Sequence, residues 1–196
     1  MQTAKRGGVA KEAAQRCYVG LGANLPHQGL AGVALLEAAI GALVEEGVAI
    51  CAVSSAWRSP PWPPGAETEG QPDYLNAVVE TAAGALDPAA LLDRLLAVER
   101  RFGRERRARW AARTLDLDII DFAGATVSRP GLTLPHPRAH ERAFVLAPLC
   151  ELAPDWRHPR LGETARALLA RLPDQGVERV AALRFRDCEG GASRIS

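Results

Sequence analysis

In the stretch Leu115-Asp116-Leu117-Asp118-Ile119, large apolar residues alternate with carboxylates. Successive side chains of a β-strand point to opposite faces, so Asp116 and Asp118 share one face and the apolar residues share the other. Two carboxylates on residues roughly 6.5–7 Å apart repel each other unless a cation lies between them. The stretch therefore predicts a strand with one face in the core and a site for a hard cation such as Mg²⁺ on the other. Asp121 has the opposite parity and is not expected in the pair.

The hydrophobic periodicity on either side of this strand predicts the element order β-α-β-β-α-β. Strands are expected at 18–22, 48–57, 74–82 and 115–122, and helices at about 30–46 and 87–103. This order is typical of the ferredoxin-like α+β sandwich. We expect an antiparallel four-stranded sheet with helices on one face and the strand at 115–122 central or near-central. The two carboxylates would then lie on the face opposite those helices, or at its rim.

The C-terminal part of the chain predicts additions to this sandwich. A turn rich in Pro and His at 133–140 precedes expected helices at 142–152 and 163–172 and a last strand at 177–183. We therefore expect extra C-terminal helices. One domain is expected over 16–183, between a disordered extension at 1–15 and a tail at 184–196.

Bulk composition excludes several classes of protein. The chain has 196 residues, 47% of them hydrophobic, and a net charge of +1, so no global field favours nucleic acid or membrane. No apolar run approaches the ~20 residues of a membrane span. Four cysteines lack metal-ligand spacing and are expected to be reduced thiols. These features predict a cytoplasmic protein.

Two long loops are expected beside the acidic strand. One is the Pro-rich stretch from Ser59 to Gly65, extended to Pro72, and the other lies in a segment, 100–113, with seven arginines and one acid. Clustered arginines beside paired carboxylates form the composition that holds a metal–polyphosphate. The P-loop motif GxxxxGK[ST] is absent from the sequence, and Gly20-Leu21-Gly22 lacks the third glycine of a dinucleotide fingerprint.

Six motifs follow one another over roughly residues 17–160. They are Val19–Leu25, Ser54–Pro61, Gln71–Ala77, Glu99–Arg104, Arg109–Ile119 and Leu134–Val145. In this order they resemble the 6-hydroxymethyl-7,8-dihydropterin pyrophosphokinases of folate biosynthesis. The resemblance implies the ferredoxin-like fold and an Mg-dependent enzyme. That enzyme would transfer pyrophosphate from ATP to the pterin hydroxymethyl group with two Mg²⁺ ions, giving the pterin diphosphate and AMP.

The resemblance also implies roles for individual residues. Asp116 and Asp118 would bind both Mg²⁺ ions, and Arg104 and Arg113 would contact the transferred phosphates. The pterin would be held by Ser59, Pro60, Pro61, Trp62, Tyr74, Asn76, Trp110 and Phe144. The nucleotide would be held by Glu99, Ile119, Thr133, His136 and Arg142. Besides ATP and the pterin we expect no nucleic acid, membrane or obligate protein partner, and a monomer.

Two other functions remain open from the residues. Ferredoxin-like sheets also bind RNA through strand aromatics and basic loops. The aromatic signature K/R-G-F/Y-G/A-F is absent, however, and acids on the sheet face would repel phosphate without a metal. The other alternative is a metal-binding structural or regulatory domain without catalysis.

Overall fold

A computed structural model of the chain describes residues 15–66, 68–103 and 113–185. The expected N-terminal extension and C-terminal tail lie outside the described residues, apart from residues 15, 184 and 185. Arg104 and Trp110 also lie outside them. Among the described residues, none of the helices is long and apolar enough to cross a membrane.

The described residues follow the predicted β-α-β-β-α-β order, except that the second predicted strand is divided in two, and a C-terminal addition comes after it. The strands are β1 Arg16–Ala23, β2 Ala49–Val53, β3 Ala56–Ser59, β4 Tyr74–Ala82, β5 Asp116–Phe122, β6 Val127–Arg129, β7 Leu132–Leu134 and β8 Glu178–Ala181. The helices are α1 Gly32–Glu45, α2 Pro88–Arg101, α3 Ala143–Leu152 and α4 Ala165–Arg171. The prediction of a ferredoxin-like α+β sandwich with extra C-terminal helices is confirmed.

The predicted strand 48–57 is in fact two strands that pair with successive parts of β4. Ser54, between them, donates its backbone N–H to the Val78 carbonyl, while its Oγ accepts from the Val78 N–H at 2.9 Å. The serine hydroxyl thus takes the place of a ladder carbonyl, and the strand is interrupted there. Together with β8, this division gives a six-stranded main sheet in place of the expected four strands.

The prediction that the acidic strand is central or near-central is wrong. The sheet order is β5-β1-β4-β3-β8, with β2 also paired to β4, so β5 lies at an edge. The outer side of β5 is met by the segment after β7, where the His136 N–H donates to the Ile120 carbonyl at 2.9 Å. This bond holds His136 next to the carboxylates of β5.

Helices cover both faces of the sheet, whereas the sequence placed the main helices on one face only. The helices α1 and α2 pack on the face that carries Leu117 and Ile119. The other face carries Ile120, and the C-terminal helices α3 and α4 pack against it through Leu146 and Leu168. The prediction that Asp116 and Asp118 lie opposite the first two helices is therefore correct.

A β-bulge between β1 and β5 changes the expected orientation of Asp121. Tyr18 pairs with Asp121 but Val19 pairs with Ile119, so Ile120 is the extra residue. Asp121 is buried and accepts a hydrogen bond from the Trp156 indole N–H at 3.2 Å. Its exclusion from the acidic pair is correct, but simple alternation along the strand does not hold there.

The sequence missed the β6–β7 hairpin. Thr133 lies within β7, where it pairs with Ser128, and so does not begin the Pro/His-rich turn.

We expect Glu151→Ala to lower the free energy of unfolding by about 2–3 kcal/mol, because it leaves several donors without their acceptor. The Glu151 carboxylate accepts from the Ser55 N–H at 3.0 Å, the Ser55 hydroxyl at 2.7 Å and the Trp57 indole at 3.0 Å. Urea denaturation measures the change. Glu45→Ala is the control, since its ion pair with Arg101 is exposed and should be worth less than about 0.5 kcal/mol. Equal losses in both variants would contradict the prediction.

Candidate active site

A cavity of about 240 Å³ opens on the second face of the sheet, beside α3. Its walls come from β1, β4 and β5, from the Pro-rich loop, and from the segment that leads from β7 into α3. Most of the predicted site residues line it: Ser59, Pro60, Trp62, Tyr74, Asn76, Arg113, Asp116, Asp118, His136, Arg142 and Phe144. The fold thus brings together residues that lie up to 85 positions apart in the chain (59 to 144).

Two glycines of β1 make room beside the acidic strand. Gly20 pairs with Asp118 and Gly22 pairs with Asp116, and both glycines line the cavity. A Cβ atom on Gly22 would lie 3.4 Å from the Asn76 Oδ1. A side chain there would occupy the space between the carboxylates and Asn76. The signal in the sequence is the Gly-x-Gly alternation within the Val19–Leu25 motif.

Asp116 and Asp118 can supply carboxylate oxygens to a hard cation. Both line the cavity from the same face of β5, and the Asp118 side chain is 50% exposed. Among the described residues, no group of three or more His, Cys, Asp or Glu side chains could hold a metal. Two carboxylates completed by substrate phosphates are a typical Mg²⁺ environment, so this donor set fits the ion.

Arg113 is held beside this pair by its side chain and by its backbone. Its guanidinium donates to the Asp116 Oδ1 at 2.5 Å. Its N–H donates to the Asn24 Oδ1 at 3.0 Å, and its carbonyl accepts from the Asn24 N–H at 3.2 Å. The Asn24 Nδ2 also donates to the Pro72 carbonyl at 3.1 Å. Asn24 therefore joins Arg113 to the end of the Pro-rich loop, a role that sequence reasoning did not assign.

His136 faces Asp118 as a neutral hydrogen-bond donor. Its Nδ1 accepts from the Arg138 N–H at 3.2 Å, so we assign the proton of the neutral ring to Nε2, which lies 3.8 Å from the Asp118 Oδ2. Burial lowers the pKa of His136 to about 4, and the positive charges of Arg142 and Arg138 act in the same direction. The ring is therefore uncharged at neutral pH.

Arg142 adds a partly buried positive charge to the same end of the cavity. Burial lowers the pKa of its guanidinium, which stays protonated at neutral pH. The guanidinium carbon lies 5.6 Å from the centre of the Phe144 ring. Its Nε is buried and has no hydrogen-bond partner among the described residues. Arg142, Arg113 and neutral His136 together form a surface suited to a polyanion.

Another part of the cavity lining combines apolar and aromatic side chains with the amides of Asn76 and Gln71. Asn76 is buried, and its Nδ2 donates to the Ser59 Oγ at 3.0 Å and to the Trp57 carbonyl at 3.3 Å. These bonds fix the orientation of its amide. Trp62, Tyr74 and Phe144 also line the cavity. Together with the Asn76 amide, these aromatic side chains suit a flat, polar-edged ring.

Thr68 and Gln71 also line the cavity but were not predicted as site residues: Thr68 lies in a polar loop without a pattern, and Gln71 only begins a motif whose predicted site residues are Tyr74 and Asn76. Thr68 fixes that loop, since its Oγ1 donates to the Pro63 carbonyl at 2.8 Å.

Four predicted site residues do not line the cavity: Pro61, Glu99, Ile119 and Thr133. Glu99 is fully buried, and its Oε1 accepts a hydrogen bond from the Leu117 N–H at 2.7 Å. It therefore supports the acidic strand from the face that α1 and α2 cover. Ile119 belongs to the core under α1 and α2. The contacts expected of these four residues with ligands stay predictions, as do those of Arg104 and Trp110.

Comparison with known proteins identifies relatives across most of the chain. The sequence model of the family described as "7,8-dihydro-6-hydroxymethylpterin-pyrophosphokinase (HPPK)" matches residues 18–154. A 2-amino-4-hydroxy-6-hydroxymethyldihydropteridine pyrophosphokinase from Methylorubrum extorquens is 41% identical over 166 residues, covering 84% of this chain and 98% of that protein. The protein of the same name from Pseudomonas aeruginosa is 42% identical over 169 residues, covering 85% and 97%.

Solved structures agree on the fold. A Plasmodium falciparum HPPK-DHPS triple mutant with pteroate matches with a TM-score of 0.61 at 15% identity. The match covers 83% of this chain and 44% of that longer one. At this identity the likeness concerns the fold alone.

His136 should make the protein less stable in acid. The folded pKa of about 4 lies below the ordinary value of 6.5, so the unfolded chain takes up the proton first as the pH falls. Stability should therefore fall between about pH 6.5 and 4, by at most about 3 kcal/mol. Urea denaturation at pH 7.5 and 4.5 measures the loss, and His136→Gln should lose correspondingly less. An equal loss in the variant would show that other groups, such as His158, carry the effect.

Proposed function

The chain belongs to the 7,8-dihydro-6-hydroxymethylpterin-pyrophosphokinase family, and on this basis we propose its reaction and mechanism. It transfers a pyrophosphoryl group from ATP to the hydroxymethyl group of 6-hydroxymethyl-7,8-dihydropterin in folate biosynthesis. The transfer depends on Mg²⁺, with two ions bound by Asp116 and Asp118, and releases AMP. The observation that carries the mechanism is the cavity in which a carboxylate pair and two arginines adjoin an aromatic, amide-bearing pocket.

The two ends of the cavity suit the two substrates. The pterin lies at the apolar end, with its ring beside Tyr74 and Phe144 and its polar edge toward Asn76 and the loop from Ser59 to Trp62. The triphosphate lies at the charged end, between Arg113 and the pair His136 and Arg142. Arg104 and Trp110 contribute from the arginine-rich segment. Ile119 and Thr133, which do not line the cavity, contact the adenine or ribose partly through their backbone, and Glu99 acts through the acidic strand that it supports.

The chemistry is an in-line displacement at the β-phosphorus of ATP. The pterin hydroxyl oxygen bonds to this phosphorus, the bond from it to the oxygen of the α-phosphate breaks, and AMP leaves with that oxygen. Bound Mg²⁺ would neutralise charge on the phosphates and acidify the attacking hydroxyl. Arg113 and Arg142 stabilise the charge on the transferred group, and the Nε2–H of His136 donates to a phosphate oxygen. The chain's main contribution is to hold both substrates in line.

The packing of the sheet argues against the RNA-binding alternative. The helices α3 and α4 cover much of the face that would present aromatic side chains to bases. The acids on what remains of that face would repel phosphate without a metal. We also propose that the chain acts as a cytoplasmic monomer, with one catalytic domain over 16–183.

The decisive experiment is to incubate the protein with Mg-ATP and 6-hydroxymethyl-7,8-dihydropterin and to separate the products. We expect equal amounts of AMP and pterin diphosphate, and no products when EDTA removes the Mg²⁺. ADP as the nucleotide product would indicate an ordinary kinase and contradict the proposal.

Asp116→Ala or Asp118→Ala should each lower turnover by about 10³-fold and leave the fold intact, because each removes a ligand of the metal that positions the phosphates. AMP release with excess Mg²⁺ and far-UV circular dichroism measure the two effects. Asp155→Ala is the control, since the Asp155 side chain is 88% exposed and paired only loosely with Arg166. Near-normal turnover in either site variant would refute the metal assignment.

Arg113→Ala should lower kcat by about a hundredfold and change nucleotide affinity by less than about threefold, because its charge acts on the transferred group in the transition state. Steady-state kinetics and calorimetric titration with an unreactive ATP analogue separate the two quantities. Arg171→Ala, whose partner Glu163 lies on the C-terminal surface, is the matched control. An unchanged kcat would remove Arg113 from the transition state.

A further inference from the structure

The family match ends at residue 154, but the chain continues through α4 and β8. The connection between these two elements, 172–177, passes along the outside of the cavity walls. Two of its residues, Gln175 and Gly176, contact segments that line the cavity. Neither was singled out from the sequence.

The Gln175 side chain hydrogen-bonds to the backbone on both sides of Arg142. Its Oε1 accepts the Ala143 N–H at 2.9 Å, and its Nε2 donates to the Glu141 carbonyl at 3.0 Å. One amide therefore fixes the two peptide units that flank Arg142. The relative orientation of these two planar peptide units sets φ and ψ of Arg142, and with them the direction of its side chain.

Arg142 needs such an external support. It is the N-cap of α3 with extended backbone angles (φ −118°, ψ 109°), and its own side chain makes no capping hydrogen bond. The first N–H groups of a helix have no acceptor within the helix, so Gln175 supplies one from another segment. The acceptor for the Ala143 N–H thus comes from the connection between α4 and β8, and it holds the start of α3 at the residue that carries the guanidinium.

The same connection touches the opposite wall of the cavity. A Cβ atom on Gly176 would lie 3.5 Å from the Pro60 Cδ, so the Gly176 backbone passes close to the Pro-rich loop. The Asp174 carboxylate accepts the Gly176 N–H at 2.8 Å and holds the turn, in which Gly176 has φ +65°. Gln175 is thus anchored in a tight turn packed between two walls of the site.

We propose that Gln175 is a positioning residue that sets the orientation of Arg142 toward the triphosphate, so that a segment beyond the family match completes the nucleotide site. The inference rests on the proposed function through the role of Arg142. It concerns the affinity for Mg-ATP more than that for the pterin, because the two hydrogen bonds of Gln175 fix the peptide units on either side of Arg142 and not the peptide unit that follows Phe144.

The test compares two substitutions of Gln175. Gln175→Met keeps the length of the side chain and removes both hydrogen bonds. It should raise the KM for Mg-ATP and the Kd of an unreactive Mg-ATP analogue about tenfold, as expected for the loss of one to two hydrogen bonds, and the KM for the pterin less than twofold. Gln175→Glu keeps the acceptor for the Ala143 N–H but loses the donor to Glu141. It should keep the Tm within about 2 °C of wild type and still raise the KM for Mg-ATP about threefold.

Leu168→Ala, in the buried face of α4, is the control for general loosening of the C-terminal segment. It should lower the Tm more than either Gln175 variant, with kinetic constants unchanged well below the Tm. If Leu168→Ala does not fold, Glu178→Ala serves as the control instead, because Glu178 forms an exposed ion pair on β8. Nucleotide constants within twofold of wild type in Gln175→Met, or an equal loss in the control, would overturn the inference. If the wild-type protein binds the analogue but makes no pterin diphosphate, the proposed function is refuted. The inference about Gln175 is still tested in that case, because the analogue Kd of the variants can be compared with that of the wild type.

Discussion

The antiparallel pairing of β1 with β5 is the constraint on which the rest of the site depends. It sets Gly22 beside Asp116 and Gly20 beside Asp118, so that each carboxylate has an open space next to it. Leu115, Leu117 and Ile119, which alternate with the carboxylates, are buried under α1 and α2, and this fixes the face that the carboxylates occupy. A shift of one residue in this register would turn the carboxylates into the core, where their desolvation would be very costly.

The position of β5 at the edge of the sheet gives other segments access to the acidic pair. The segment after β7 hydrogen-bonds to Ile120 and brings His136 beside Asp118. On the other side, Asn24 holds the backbone of Arg113 where the chain enters β5. In each case a bond to the backbone, rather than packing alone, fixes a polar side chain relative to the carboxylates. A central strand would have had both of its edges occupied by neighbouring strands.

Both the charged side chains and the burial of His136 determine the electrostatics of the cavity. Two carboxylates face Arg113 and Arg142, while burial and the charges of Arg142 and Arg138 keep His136 uncharged. A polyanion that arrives with divalent cations would fit this surface, since the cations meet the carboxylates and the phosphates meet the arginines. The aromatic part of the lining adjoins this charged surface, since the Arg142 guanidinium carbon lies 5.6 Å from the Phe144 ring centre. In the proposed function, the pterin ring therefore lies directly beside the triphosphate.

The sequence by itself determined the order of the elements, the face of the acidic pair and the family, because these depend on local periodicity and on motifs that are contiguous in the chain. It also identified most of the residues that line the cavity. Only the tertiary structure decided the division of the strand at Ser54, the edge position of β5, and the bulge that turns Asp121 toward Trp156. It alone revealed the hydrogen bonds of Asn24 to Arg113, of Glu99 to Leu117 and of Gln175 to the backbone beside Arg142. Each of these depends on a hydrogen bond between segments far apart in the chain, for which no local pattern exists.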